Sequence, residues 1–524
     1  MANDVPTAAL SPIVETGAGK LRGAVAGGIH AFKGIPYGAP TGGADRFRPP
    51  RPVAPWSGVR DALAYRGRAP QGAQAKRRAE MDNILGPADT TPETEDCLTL
   101  NVWTPGLDAA KRPVMVWLHG GAFAYGSANR AVTEGANLAR RGDVVVVSVN
   151  HRLNICGYLH LEDIGGERYA GSGNAGSLDM VLALEWVRDN IAAFGGDPGC
   201  VTVFGESGGG GKVSALLAMP AAQGLFHRAI IQSGAAVRFT TRERANALAE
   251  SVVAQLGGVD RLAAAPLAAL LGAIPAASRA AGARAYPLLD RYDFGPVVDG
   301  KVVAQHPAEP STSPLGDAVP LMIGGTAREA SLFLDDDAVW HRTLTEDQLR
   351  ERLVAIAGPD TDAALSLYRD LLPGATAAER LIAALTGANF SVRTWLYADR
   401  RAARSNENAG GAAVYHYSLD WPSPFAGGRM GAHHAMDLPF VFDTTDIPLT
   451  TRGADGAPEL AAAISASWAA FARTGRPDNA AIPAWPAYTA ATRATMLFDT
   501  RCRVAENPLR DARALWSRVA LASG

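Results

Sequence analysis

The sequence predicts an α/β fold: a large, mostly parallel sheet with helices on both faces. Three observations predict it. Short apolar runs rich in β-branched residues alternate with longer segments of helical period. Several of those runs, such as 144–147, are apolar without a break, as strands buried on both faces must be. One run ends in Gly-x-Ser-x-Gly, a sharp turn at the sort of strand end where open α/β sheets keep their ligands.

The strands are predicted at 98–103, 113–118, 144–149, 201–204, 229–232, 319–323, 413–417 and 495–498. Between them, residues 177–194 place Leu178, Val181, Leu182, Leu184, Val187 and Ile191 near helical spacing, and Gly195 and Gly196 end the segment. Thr345 with Gln348 reads as a capping box that opens another helix. Two helix-rich stretches, about 241–287 and 335–408, interrupt the strand rhythm and are expected to wall or cover the site. With no internal repeat and no linker, residues 1–524 are expected to form one domain carrying those insertions.

Charge excludes some partners. Lys plus Arg is 50 against 52 for Asp plus Glu, a net charge of -2, so no global field draws in nucleic acid or an anionic membrane. A neutral or mixed-charge small molecule fits better. The first twenty residues carry Asp4, Glu15, Pro6 and Pro12 and no apolar signal core. No run approaches the roughly 20 apolar residues that span a bilayer; the Ala-rich stretch 261–285 is interrupted by Pro266, Pro275 and several Arg. Cys97, Cys156, Cys200 and Cys502 lack zinc-site spacing and are expected as free thiols in a cytoplasmic protein.

The chemistry centres on Ser207. Gly205-Glu206-Ser207-Gly208-Gly209 follows the apolar run 201–204 and precedes 212–219, which can be helical. In such an elbow the glycines let the backbone bend sharply and lift the hydroxyl above the sheet. Among 56 glycines chance supplies roughly 0.3 such motifs, so its surroundings must carry the assignment. One is His119-Gly120-Gly121-Ala122-Phe123, after the strand at 113–118. Acyl transfer needs backbone N–H groups aimed at an oxyanion, and nearly side-chain-free residues let the backbone approach it. Gly121, Ala122 and Gly208 are the expected donors.

These motifs belong to a longer pattern: Phe32-Lys33-Gly34-Ile35-Pro36-Tyr37, Arg46-Phe47-Arg48-Pro49-Pro50, Glu95-Asp96-Cys97-Leu98, Asn150-His151-Arg152-Leu153, and Phe194-Gly195-Gly196-Asp197-Pro198 before the serine. Over nearly its whole length the chain resembles the type-B carboxylesterase and cholinesterase family, especially bacterial para-nitrobenzyl-esterase-like members. The resemblance implies the α/β-hydrolase fold. It has two departures. Gly208 stands where the family usually has Ala, which should keep the N–H donor and loosen the turn. No cysteine precedes Cys97 to form the disulfide of secreted relatives.

A serine hydroxyl needs a base held by a carboxylate, in the chain order Ser, acid, His. By residue type alone His433 and His434 are equal candidates; the resemblance of 431–440 to the family's histidine loop selects His434. It likewise selects Glu329, with Arg328 and Ala330 in place of the usual Asp and Gly. Asp335, Asp336 and Asp337 compete for the acid role but read as a solvated turn, because adjacent carboxylates repel. The resemblance also implies ion pairs Arg46–Glu95 and Arg152–Asp179, and places Ser233 near the acid and histidine, where it could equally be an ordinary buried hydroxyl. Glu206 is expected in a buried polar network behind the elbow. Phe123, Tyr125, Trp421 and Phe425 follow strand ends and are candidates for the substrate wall or for core.

The expected activity is hydrolysis of small to medium, largely neutral carboxylic esters through a Ser-His-Glu triad and an acyl-enzyme, with no metal or organic cofactor. The rate should rise with pH as His434 loses its proton, near a reference pKa of about 6.5. Amides, carbamates and polymer esters are the alternative substrates, since they share the acyl-enzyme. A non-catalytic cholinesterase-like binding protein is disfavoured, because all three triad positions are filled. The chain is expected as a monomer or homodimer.

Overall fold

The computed structural model describes residues 9–72, 78–282, 293–407 and 411–522. Thirteen strands in it form one sheet. In chain order they are β1 (Ala9–Thr16), β2 (Gly19–Ala26), β3 (Ile29–Pro36), β4 (Val59–Asp61), β5 (Thr99–Thr104), β6 (Arg112–Leu118), β7 (Val145–Val149), β8 (Gly196–Glu206), β9 (Arg228–Gln232), β10 (Leu321–Thr326), β11 (Val414–Leu419), β12 (Ala494–Phe498) and β13 (Arg503–Glu506). In space they run β1-β2-β3-β5-β7-β6-β8-β9-β10-β11-β12-β13, with β4 beside β2. From β7 through β12 every pairing is parallel. Strands β1, β2, β3 and β5 and the last strand, β13, join antiparallel, while β4 lies parallel to β2.

The parallel block forms where the sequence is continuously apolar. All residues of β6 and β7 are buried, and their side chains alternate between two cores. Val114, Val116, Val145 and Val147 meet Val181, Leu184 and Val187 of helix Ala175–Asn190 on one face. Met115, Trp117, Val144 and Val146 meet Ile464, Trp468 and Phe471 of helix Ala457–Thr474 on the other. The predicted helix at 177–194 closes with a tight turn, Ile191–Phe194, and Gly195 at φ 77° takes the left-handed position that ends it.

Register levels the C-terminal strand ends. Leu118 pairs with Gly205, Glu206 with Gln232, Gln232 with Gly324, and Thr326 with Leu419. The loops leaving β6, β8, β9, β10 and β11 therefore emerge along one edge of the sheet.

The two interruptions are helical. The first holds Arg242–Gln255 and Leu267–Ala280; the second holds Asp337–Trp340, Glu346–Ala357, Thr361–Leu371, Ala377–Thr386 and Val392–Glu407. Their predicted ends, 283–287 and 408, lie outside the described residues, as do the first eight residues of the chain. Thr345 and Gln348 form the expected capping box. Asp336 and Asp337 are exposed and pair with Arg352 and Arg78. Among the described residues no helix is long and apolar enough to cross a membrane.

Candidate active site

Ser207 sits between the end of β8 and helix Gly208–Leu216 with φ 56° and ψ −122°. A non-glycine residue held there stores strain of about 1–3 kcal/mol, so its surroundings must fix it. Its N–H donates to Gln232 O at 2.8 Å. Close packing does the rest: a Cβ on Gly205 would lie 2.5 Å from the Gly209 backbone, and one on Gly234 would overlap the Ser207 carbonyl. Four glycines, Gly208 to Gly211, open the helix, although each costs about 0.8–1.0 kcal/mol of helix propensity against Ala. Side chains at the first two would strike the turn leaving β6. A Cβ on Gly209 would overlap Leu118 O, and one on Gly208 would overlap the backbone of Ala122.

This contact corrects one expectation. Glycine in place of alanine does not loosen the turn; the backbone of Ala122 occupies the space a methyl would take. Gly121 at φ 88° and Ala122 at φ 60° give that turn its left-handed path, which brings Ala122 against Gly208.

Glu329 follows β10, and His434 lies in the loop after β11. Their loops are joined one residue earlier, where Arg328 bridges His433 and the Arg328 N–H donates to Ala432 O at 2.9 Å. His434 Nδ1 lies 2.6 Å from Glu329 Oε2, and the Thr326 N–H donates to Glu329 Oε1 at 2.8 Å. Both side chains are buried. The His434 ring packs against a stacked pair, Phe333 and Phe390, whose centroids are each 5.0 Å from it and 5.6 Å from each other. Its Nε2 has no hydrogen-bond partner; Glu206 Oε1 stands 3.1 Å from it without hydrogen-bond alignment. Ser233 Oγ is buried and also without a partner. It flanks the same space as Glu329 Oε1, since a Cβ on Gly325 would lie 3.3 Å from the first and 2.6 Å from the second.

A cavity of about 700 Å³ opens over Ser207, Gly208 and Ser233. Phe123 lines it, as do Thr241 and Arg244 from the first insertion and Phe390, Val392 and Leu396 from the second. The other three aromatic candidates are not on its wall. Trp421 is buried and packs edge-on against Phe440, 5.3 Å away; Phe425 packs with Met81, Trp340 and Met430; Tyr125 lies outside the lining, its main chain closing the turn on Gly121 O. The rings of Trp421 and Phe425 are taken up by packing rather than left for a ligand.

Residue patterns gave no sign of several neighbours. Asp437, buried behind His434, accepts from Gln232 Nε2 at 2.9 Å and Tyr417 OH at 2.8 Å, while Trp468 Nε1 donates to Gln232 Oε1. Asp437 stands four residues on from the competing His433, and only its burial marks it. The C-terminal helix Arg510–Ala522 adds Trp516, Val519 and Leu521 to the cavity. The two ion pairs implied by resemblance are present, each with a 2.6 Å contact: Arg46 with Glu95, and buried Arg152 with Asp179.

A hydroxyl on a strained elbow, an imidazole tied to a buried carboxylate and a parallel α/β sheet define a class, the serine hydrolases of α/β type. Within it, this chain belongs to the carboxylesterase family, whose model matches residues 10–516. It is 36% identical to the para-nitrobenzyl esterase of Bacillus subtilis over 96% of this chain and 97% of that protein. The solved structure of a carboxylesterase from Geobacillus stearothermophilus superposes with a TM-score of 0.81 at 37% identity, covering 97% of this chain and all of that one. An esterase from Clostridium hathewayi, described as able to hydrolyse aliphatic aromatic polyesters, gives 0.81 at 35% identity, with coverage of 98% and 100%. The protein is a serine carboxylic ester hydrolase.

Proposed function

We propose that Ser207 is the nucleophile, His434 the base and Glu329 the acid that orients it. The observation that carries this reading is the contact of His434 with Glu329, with the far nitrogen of the ring left open. Nδ1–H donates to Glu329, which fixes the tautomer, and Nε2 is left without a hydrogen bond, able to take the Ser207 proton. As Ser207 Oγ bonds to the ester carbonyl carbon, the oxyanion rests on the N–H groups of Gly121, Ala122 and Gly208. His434 then passes its proton to the departing alkoxide, leaving an acyl-enzyme. Water, giving a proton to the same Nε2, releases the carboxylic acid and restores Ser207.

We assign small to medium, largely neutral esters as substrates. The cavity volume lies within the range of small-molecule sites, and among the charges lining it Arg238 pairs with Glu309 and Arg244 with Asp293, beside Arg393 and Arg400. The polyester activity of the Clostridium hathewayi relative favours polymer esters as a second reading; release of soluble acids from a polyester film would test it. One domain over the whole chain, a bacterial source and a cytoplasmic location complete the proposal, supported by the single family match, the bacterial relatives and the absence of any cysteine before Cys97.

A chromogenic ester panel run beside Ser207→Ala tests the assignment. The wild type should take up one phosphonyl group from a fluorophosphonate at Ser207. The variant should take up none and lose turnover by a factor on the order of 10³ to 10⁶. Wild-type turnover in the variant overturns it.

A further inference from the structure

Lys212 lies inside the elbow helix and is completely buried. A buried amine is costly unless its hydrogens find acceptors, so its partner is informative. Nζ donates to the carbonyl of His119 at 2.7 Å, with the Phe123 ring 5.9 Å away. Burial pushes this amine well below its ordinary range, against the opposing pull of Glu206. Charged or neutral, it keeps N–H groups to donate.

His119 opens the turn that carries Gly121 and Ala122. In a trans peptide the carbonyl and the next N–H point in opposite directions, so fixing an oxygen aims the N–H that follows. Three successive carbonyls are fixed here. His119 O is held by Lys212; Gly120 O lies 2.8 Å from His119 Nδ1; Gly121 O accepts from Tyr125 N at 2.8 Å and Ala124 N at 3.3 Å. The second and third fixed carbonyls aim the N–H groups of Gly121 and Ala122. The first anchors the residue whose ring makes the second, and that ring stacks on His151 at 4.9 Å.

We propose that Lys212 is a positioning residue of the oxyanion hole, setting through His119 the direction in which Gly121 and Ala122 present their N–H groups. The proposal rests on the assignment of those groups to the oxyanion. The small residues of the elbow helix let the turn lie against it, and Lys212 is the side chain of that helix that holds the turn by a hydrogen bond.

The test compares Lys212→Met, of similar length without a donor, with Lys212→Gln, which keeps a shorter one. Steady-state kinetics on a chromogenic ester are read beside inhibition by a trifluoromethyl ketone analogue, whose adduct with the nucleophile delivers an oxyanion to the hole. In folded Lys212→Met, kcat should fall about 10- to 100-fold, with KM within about twofold and ketone affinity falling in step with kcat/KM. Lys212→Gln should recover part of both losses. Unchanged kcat and ketone affinity in the Met variant overturn the proposal, as does a kcat loss shared equally by both variants with ketone affinity intact. If neither variant folds, Lys212 is a folding requirement and the positioning role is overturned. A ketone that fails to inhibit the wild type instead overturns the underlying site assignment.

Discussion

Glu206 Oε1 stands 3.1 Å from Nε2 of His434, on the other side of the ring from Glu329. Burial alone would hold His434 neutral, but the charges of Glu206 and then Glu329 outweigh it and raise the imidazole to about 9. If His434 is the base as proposed, catalysis needs the neutral ring, which forms as pH rises, so the alkaline-going rise of kcat/KM should have its midpoint above the ordinary histidine value of about 6.5 that the sequence suggests. Asp437 adds a third raising charge, and Glu206 is itself pushed up to about 8 by burial, so its charge is present mainly toward alkaline pH; Glu206→Gln removes it and should lower that midpoint. Paired pH–rate profiles check both statements; a wild-type midpoint at or below 6.5, or one that the variant leaves in place, counts against this account.

Legibility in the sequence followed burial. Strands β6, β7 and β8 could be read because both faces are covered and valine fills them. Strands β1 and β2 could not: Leu10 and Ile13 are exposed, and Gly19 and Gly23 break the run. In the site, the elbow and its facing turn were legible because close backbone approach demands glycine. Residue type could not separate His434 from His433, whose Nδ1 turns instead to the carbonyl of His434, 2.6 Å away. Phe390 arrives from a helical insertion, and no spacing links it to the histidine it packs against. Lys212 would read as a solvated helix position in any sequence, and only the structure shows the amine inside.

Glu329→Gln keeps size and can still accept from Thr326 N–H, so the fold should survive. What it loses is the negative charge beside Nδ1 and the preference for the tautomer with Nδ1 protonated. By analogy with the same change in other triads, kcat should fall by a factor on the order of 10⁴. Fluorophosphonate labelling should slow alongside it. A loss under tenfold would move the acid role to another carboxylate.

Asp179→Ala tests the brace. Buried Arg152 donates three hydrogen bonds to Asp179, from its main-chain N–H and Nε at 2.9 Å each and from Nη2 at 2.6 Å. Removing the carboxylate leaves a buried guanidinium uncompensated, a loss of about 3–5 kcal/mol. Denaturant unfolding should show it, with kcat per folded molecule little changed.

Gly208→Ala sets two effects against each other. Alanine in the helix is favoured over glycine by about 0.8–1.0 kcal/mol, which argues for a variant at least as stable. Yet the new methyl would overlap Ala122 O, C and Cα, all of them backbone, so no side-chain rotation can relieve it and the turn must shift as a unit. That shift separates the Gly208 N–H from those of Gly121 and Ala122, and hydrogen bonds to a developing oxyanion weaken steeply with distance and angle. The clash, typically about 1–3 kcal/mol for overpacking, outweighs the propensity gain, so Tm should fall as well. We expect kcat to fall about tenfold or more with KM nearly unchanged. Wild-type kcat in a folded Gly208→Ala protein would show that the close contact of Ala122 with Gly208 is packing without catalytic consequence.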